Sequence, residues 1–227
     1  MLEILFQDDA LIAINKPHGL LVHRSPIAAD ASEFAIQLLR DQIGQKVFPV
    51  HRLDRKTSGV LLFALNDEVN RMMQEAFRTK KVSKKYLALV RGFTAESGTI
   101  DYALTNEDGK TQDALTHYKT LETVDIPVPF GTQSSSRYSL VEVAPETGRM
   151  HQIRKHFAHI FHPIVGDRPH GCNKQNKLFL EKWEMNTMLL HAQEITFMHP
   201  ISHKSVTIQA EMHTEFKRML ALFLDWK

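Results

Sequence analysis

Short apolar runs, many of them alternating with polar residues, recur along most of this chain of 227 residues, and stretches with helical spacing are few. LEILFQD and LIAINKP, split by Asp8 and Asp9, read as an opening pair of strands that runs into the turn residues Pro17 and Gly19. VFPV and GVLLFAL read as strands on either side of the polar loop HRLDRKTS. KYLALVRG, GTIDYAL, THYKTLETV, RYSLVEV, LLHAQEITF and SVTIQA continue the pattern. Helical spacing occurs in four places. Ser32 can cap the first helix, with Phe34, Ile36, Leu38 and Leu39 as its apolar contacts and Gly44 as its end. Asn66 can cap a second, in which Val69, Met72, Met73, Ala76 and Phe77 repeat. GRMHQIRKHFAHI holds a third, and TEFKRMLALFLDW closes the chain with Phe216, Met219, Leu220 and Phe223 on one face. So few helices among so many strands do not suit regular βαβ winding. The expectation is α+β, with a mixed, largely antiparallel central sheet and flanking helices and loops. TNEDGKTQD and IPVPFGTQSSSR read as surface loops, neither of them a linker, so a single domain over residues 1–227 is expected.

Composition adds a compartment and little else. Apolar residues make up 43% and charged residues 24%, as in soluble globular proteins. One cysteine, Cys172, excludes an internal disulfide and suits a reducing compartment, so a cytoplasmic location is expected. Acidic residues near the amino terminus do not suit a secretory signal, and GVLLFAL is too short to span a bilayer. The net charge is only +2, but the cations gather in RTKKVSKK at 78–85 and GRMHQIRKH at 148–156. A solvated helix end accounts for either cluster alone; a polyanionic partner would use both.

The chemistry concentrates in HRLDRKTSGVLLFA, where Asp54 stands among His51, Arg52, Arg55 and Lys56 just before a buried strand. Farther along, Met150, Ile153, Arg154 and Phe157 stand at i, i+3, i+4 and i+7, the core-facing stripe of an amphipathic helix. Arg154 thus occupies an apolar position and needs an acidic partner, and Asp54 is the carboxylate this reading assigns to it. Lys155 and His156 are expected to face solvent or phosphate. A guanidinium beside Asp54 would keep the carboxylate ionised and fixed in direction, which suits a nucleophile or electrostatic stabiliser. A purely structural ion pair is the competing account.

Together with NKPHGLLVH, KYLALVRG and GRMHQIRKHFAHIFHPIVGD, in that order, the HRLDRKTSGVLLFA block resembles the RluA-type pseudouridine synthases. The four blocks cover the chain from about Leu2 to about Ile208. Within the family, the short form opening with MLEILFQDDALIAINKP and carrying VHRS at 22–25, without a separate amino-terminal RNA-binding domain, is most similar to members acting on uridine 65 of tRNA. The resemblance implies isomerisation of a uridine within RNA, most readily tRNA, with no cofactor, no metal and no obligate protein partner. It assigns Asp54 as the catalytic aspartate, Arg154 as the arginine paired with it and Tyr86 as the tyrosine packed on the target base. Arg55 aligns with the side chain that helps displace the base, and His51 and Arg52 are expected to bind substrate beside it. Attack on the ribose and removal of a proton both need an ionised carboxylate, and the sequence does not choose between them.

Other readings are weaker on their own terms. Thirteen histidines invite a metal, but His151, His156, His159 and His162 do not join a recognised ligand pattern. A hydrolase with Asp54 as nucleophile lacks a partner acid in its loop. An RNA-binding module would not need a caged carboxylate. Among synthases, a ribosomal RNA or another tRNA uridine is the alternative substrate, because loops such as 104–113 and 124–137 carry no readable code.

Overall fold

The computed structural model describes residues 1–23 and 33–224. They form two compact units, one built on Met1–Lys84 with Ala192–His213, the other on Lys85–His191 with the chain from Thr214 onward.

In the first unit, β1 (Glu3–Gln7) and β2 (Leu11–Lys16) form the expected antiparallel pair. Asp8 closes their turn, its Oδ1 accepting the N–H groups of Ala10 and Leu11 at 2.8 and 2.7 Å. After α1 (Ala35–Ile43) and the two-residue β3 (Phe48–Pro49), the chain enters β4 (Ser58–Ala64), which pairs antiparallel with both β2 and β3. The cap expected at Ser32 lies outside the described residues; Gly44, at φ +66°, ends α1 as expected. Every residue of β4 is buried, so the strand reads as one apolar run. At its start Gly59, with φ +110°, lies so close to Ala192 that a Cβ would fall 2.1 Å from that residue's carbonyl oxygen. Only glycine fits there. α2 (Asp67–Arg78) begins at Asn66, whose Oδ1 accepts the Val69 N–H at 2.9 Å, with Asp67 and Glu68 favourably placed in the first turn. Val69 and Met73 pack with Leu11, Ala13, Val60, Leu62 and Ala64. Met72, counted in the same stripe, is 40% exposed. β11 (Leu190–Met198) and β12 (Ser205–Gln209) form an antiparallel hairpin that adds Ile195, Phe197 and Ile208 to this core.

In the second unit, β5 (Ser83–Arg91), β10 (Ser136–Pro145), β9 (Leu115–Ile126) and β6 (Ser97–Asp101) are neighbours in that order, each pair antiparallel. The segment read as the loop TNEDGKTQD contains a small hairpin, β7 (Leu104–Thr105) with β8 (Thr111–Gln112). α3 (Gln152–His159) lays Ile153 and Phe157 on Ala88, Val90, Ile100, Val141 and Val143. Met150 falls before this helix, separated by His151 at φ +55°, and is 39% exposed rather than core-facing. His156, expected at the surface, is wholly buried and binds the Tyr102 carbonyl at 3.0 Å.

Sequence reading passed over α4 (Asn173–Trp183). Its buried positions are Gln175 and Phe179, one of them polar, so no apolar period marks it. Gln175 donates to the Tyr138 hydroxyl in the core. α5 (Thr214–Leu224) buries Phe216, Met219 and Phe223, the last stacked on Tyr138. The fold is α+β; the pairings β1–β2, β2–β4, β3–β4, β5–β10, β9–β10, β6–β9, β7–β8 and β11–β12 are antiparallel, and a bridge between Leu21 and Phe34 is parallel.

Candidate active site

The residues singled out by sequence fall in two places, one in each unit. In the first unit, the Asp54 carbonyl accepts the Thr57 N–H at 3.0 Å, making a tight turn between Leu53 and the buried Thr57 and Ser58. Asp54 itself is half-buried and Arg52 and Arg55 are exposed. A second turn locks onto the first. The Gly19 N–H donates to the Arg55 carbonyl at 2.8 Å, and Arg55 Nε donates back to the Gly19 carbonyl at 3.1 Å.

Beneath both turns lies Lys16, which sequence reading did not select and which is wholly buried. Its Nζ donates to the carbonyls of Pro17 (3.0 Å), Leu20 (2.8 Å) and Arg55 (3.2 Å), so each ammonium hydrogen has an acceptor. Burial pulls the Lys16 ammonium down to about 7, opposed by the nearby negative charge of Asp54. A lysine ending the largely apolar strand LIAINK, just before Pro17, was the available signal. His51 is built into the sheet. Its Nε2 accepts the Leu62 N–H at 3.1 Å and its ring stacks on Phe77 at 5.0 Å. Burial, with Lys84 nearby, lowers its pKa to about 4 against a bond to the Arg52 backbone, so the ring is neutral at pH 7. His18 is held at about 4 as well, by burial and then by His213, Lys16 and Lys56. The Asp54 turn is therefore positioned by a neutral histidine, a buried lysine and an interlocked glycine turn.

In the second unit, Tyr86 lies near the start of β5, opposite Val143 of β10, half-buried against the cluster that holds Ile153 and Phe157. Arg154 is on α3 and only 5% exposed, so its inward placement agrees with the helical period. The acid that its own unit supplies is Asp167, 1% exposed. Nε and Nη2 of Arg154 meet its two carboxylate oxygens at 2.8 Å each, in a bidentate pair. The sequence reading assigned the pairing to Asp54 and passed over Asp167, although VGD ended the quoted block. Asp167 is held in turn by its backbone, whose carbonyl accepts from Asn176 Nδ2 at 2.7 Å. Gln152, also missed, anchors the start of α3. Its Nε2 donates to the Leu115 carbonyl (3.0 Å) and Thr116 Oγ1 (2.9 Å), and its Oε1 accepts from Thr147 Oγ1 (2.7 Å) and the Arg149 N–H (3.0 Å).

This changes the reading of the 148–156 cluster as a phosphate-binding patch. Arg154 and His156 are buried, Arg149 Nε bonds the Asp113 carbonyl at 3.1 Å and His151 bonds His170 at 2.9 Å. His159 stacks on Tyr102 at 3.7 Å, and His162 binds the Arg91 carbonyl at 2.8 Å. Among the described residues no three His, Cys, Asp or Glu side chains are grouped to hold a metal ion, and no helix is long and apolar enough to cross a membrane.

Comparison with known proteins extends these motifs to the whole chain. The family model for RNA pseudouridylate synthase matches residues 10–159. The chain is 46% identical to tRNA pseudouridine synthase C of Vibrio vulnificus, over all of this chain and 96% of that protein. It is 47% identical to the protein of the same name from Haemophilus ducreyi, over 98% and 96%. Human RNA pseudouridylate synthase domain containing 4 superposes with a TM-score of 0.74 at 25% identity, over 98% of this chain and 93% of that one. The matched blocks and the shared α+β architecture lead to one conclusion: the chain belongs to the RNA pseudouridylate synthase family of isomerases.

Proposed function

We propose that this chain converts a uridine of tRNA, at position 65, into pseudouridine, and does so in the cytoplasm. The observation that carries the reading is the likeness to tRNA pseudouridine synthase C along essentially the full length of both chains. In the reaction the N1–C1′ bond breaks, the uracil turns while bound, C5 bonds to C1′, and the C5 proton is lost as N1 gains one. No group is added or removed.

Asp54 supplies the ionised carboxylate, as nucleophile at the ribose or as base. Its turn, braced by Lys16 and Gly19, supports that role, because a reacting group must be held within a fraction of an ångström. Tyr86 is assigned to stacking on the target base, and Arg154, bound to Asp167, to anchoring α3, whose Ile153 and Phe157 share a core cluster with Tyr86. Arg55, exposed and held by the Gly19 carbonyl, is assigned to the gap left when the nucleotide is extruded, with Arg52 on the neighbouring phosphates. His51 serves through the shape of the loop, since its ring is committed to Leu62 and Phe77.

Mapping pseudouridine by carbodiimide-dependent reverse-transcription stops, in total RNA from cells with and without this chain, tests the reading. A stop at tRNA position 65 should depend on the chain. A dependent stop in ribosomal RNA instead would overturn the tRNA assignment.

A further inference from the structure

Three stretches of the second unit meet at the end of β5 remote from Tyr86: the end of β5 itself, the turn between β9 and β10, and the turn after α3. α3 closes with the His162 N–H on the Phe157 carbonyl at 2.9 Å and the Phe161 N–H on the Ala158 carbonyl at 3.1 Å. This is the helix-ending pattern in which the residue at the bend takes a left-handed conformation and is usually glycine. Here it is Phe161, at φ +64°, with 87% of its surface exposed. Neither the helix closure nor the core accounts for the phenyl ring.

Its neighbours are of matching chemistry. His162 Nδ1 is tied to the Arg91 carbonyl, and its ring lies on Gly92, where a Cβ would stand 3.0 Å away. Phe93 follows, 44% exposed, with the Arg137 guanidinium 5.3 Å from its ring centre; the Arg91 guanidinium is 5.0 Å from the ring of Phe130. Asp125 meets Arg137 Nε at 3.2 Å. Exposed rings interleaved with arginines are what single-stranded RNA segments bind, bases on the ring faces and phosphates on the cations.

We propose that Phe161, Phe93, Arg91 and Arg137 form a second RNA contact, in which Phe161 stacks on an unpaired base and the two arginines meet phosphates. The proposal rests on the reading of RNA as substrate. Arg91 lies five residue steps along the extended strand from Tyr86, about 17 Å, a span that a folded tRNA bridges and a trinucleotide centred on the target uridine does not. This contact therefore adds affinity for the whole RNA and leaves the isomerisation chemistry to the other residues.

The test compares Phe161→Gly with wild type in binding full-length tRNA and a single-stranded trinucleotide centred on the same uridine. Glycine suits φ +64°, so the variant should melt at or above the wild-type temperature. Its Kd for tRNA should rise about fivefold or more, with the trinucleotide unchanged, and any fall in kcat/KM on tRNA should come through KM. Arg91→Gln with Arg137→Gln should lower the slope of log K against log salt by about one to two. A tRNA Kd within about twofold of wild type, equal weakening on both RNAs, or an unchanged salt slope in the arginine variant would overturn the proposal. Because binding is read separately from turnover, a wild-type chain that binds tRNA but leaves its uridines unmodified would sink the proposed function alone.

Discussion

Replacing Arg154 by alanine should cost more stability than almost any other single substitution in this chain. The guanidinium and its partner Asp167 are 5% and 1% exposed, and they share two charge-assisted hydrogen bonds of 2.8 Å. Removing the arginine leaves the Asp167 carboxylate buried without its guanidinium partner. Breaking one side of such a pair typically costs about 3–5 kcal/mol. In a chain of this size that corresponds to a fall in melting temperature of roughly 6–20 °C. The reasoning has a second arm, because the penalty arises from the orphaned partner rather than from the lost attraction. Arg154→Met combined with Asp167→Leu removes both charges and fills the space, so the double variant should be more stable than Arg154→Ala alone. Urea denaturation of the variants measures this. A loss below about 1 kcal/mol for Arg154→Ala, or a double variant as costly as the sum of its single substitutions, would refute the account.

Asp54→Asn should abolish pseudouridine formation while the Kd for tRNA stays within a few fold, since phosphate contacts carry most of the affinity; clear residual turnover would remove Asp54 from the mechanism. Arg55→Ala should slow the reaction on structured tRNA far more than on an unpaired RNA bearing the same uridine, and equal losses on both would refute the extrusion role. Lys16 titrates at about 7 in the folded chain because of burial, so from about pH 7 to 10.5 the unfolded chain binds the proton that the folded chain has lost. Stability should rise with pH across that window and level off below it, with Lys84, lowered by burial to about 8, adding to the upper part. Lys16→Met should flatten much of this rise in urea midpoints measured between pH 7 and 10, and an unchanged slope would show that the lysine is not the group responsible.

Much of this protein could be read from local pattern. The unbroken apolar run of KYLALVRG and the alternation along RYSLVEV place β5 and β10, and the bend chemistry of Asn66 and Gly44 marks where α2 starts and α1 stops. Even the inward turn of Arg154 is a local fact, because a helix puts i, i+3 and i+4 on one side whatever surrounds it. The HRLDRKTS loop was legible for a similar reason, as a polar stretch stitched to a wholly apolar strand.

What only the tertiary structure decided is which groups satisfy those side chains. Lys16 is held by the carbonyls of Pro17, Leu20 and Arg55, and a carbonyl is the same in every residue, so no sequence pattern announces the acceptor. Arg154 needed an acid, and 13 positions separate it from Asp167, a spacing that belongs to no helix or strand period. His156, expected at the surface, and Gln175, on a helix with no apolar period, are buried, because each found a partner, the Tyr102 carbonyl and the Tyr138 hydroxyl, on a distant strand or its flanking turn. Burial of a polar group depends on what the fold brings to it, and hydrophobic patterning carries no record of that.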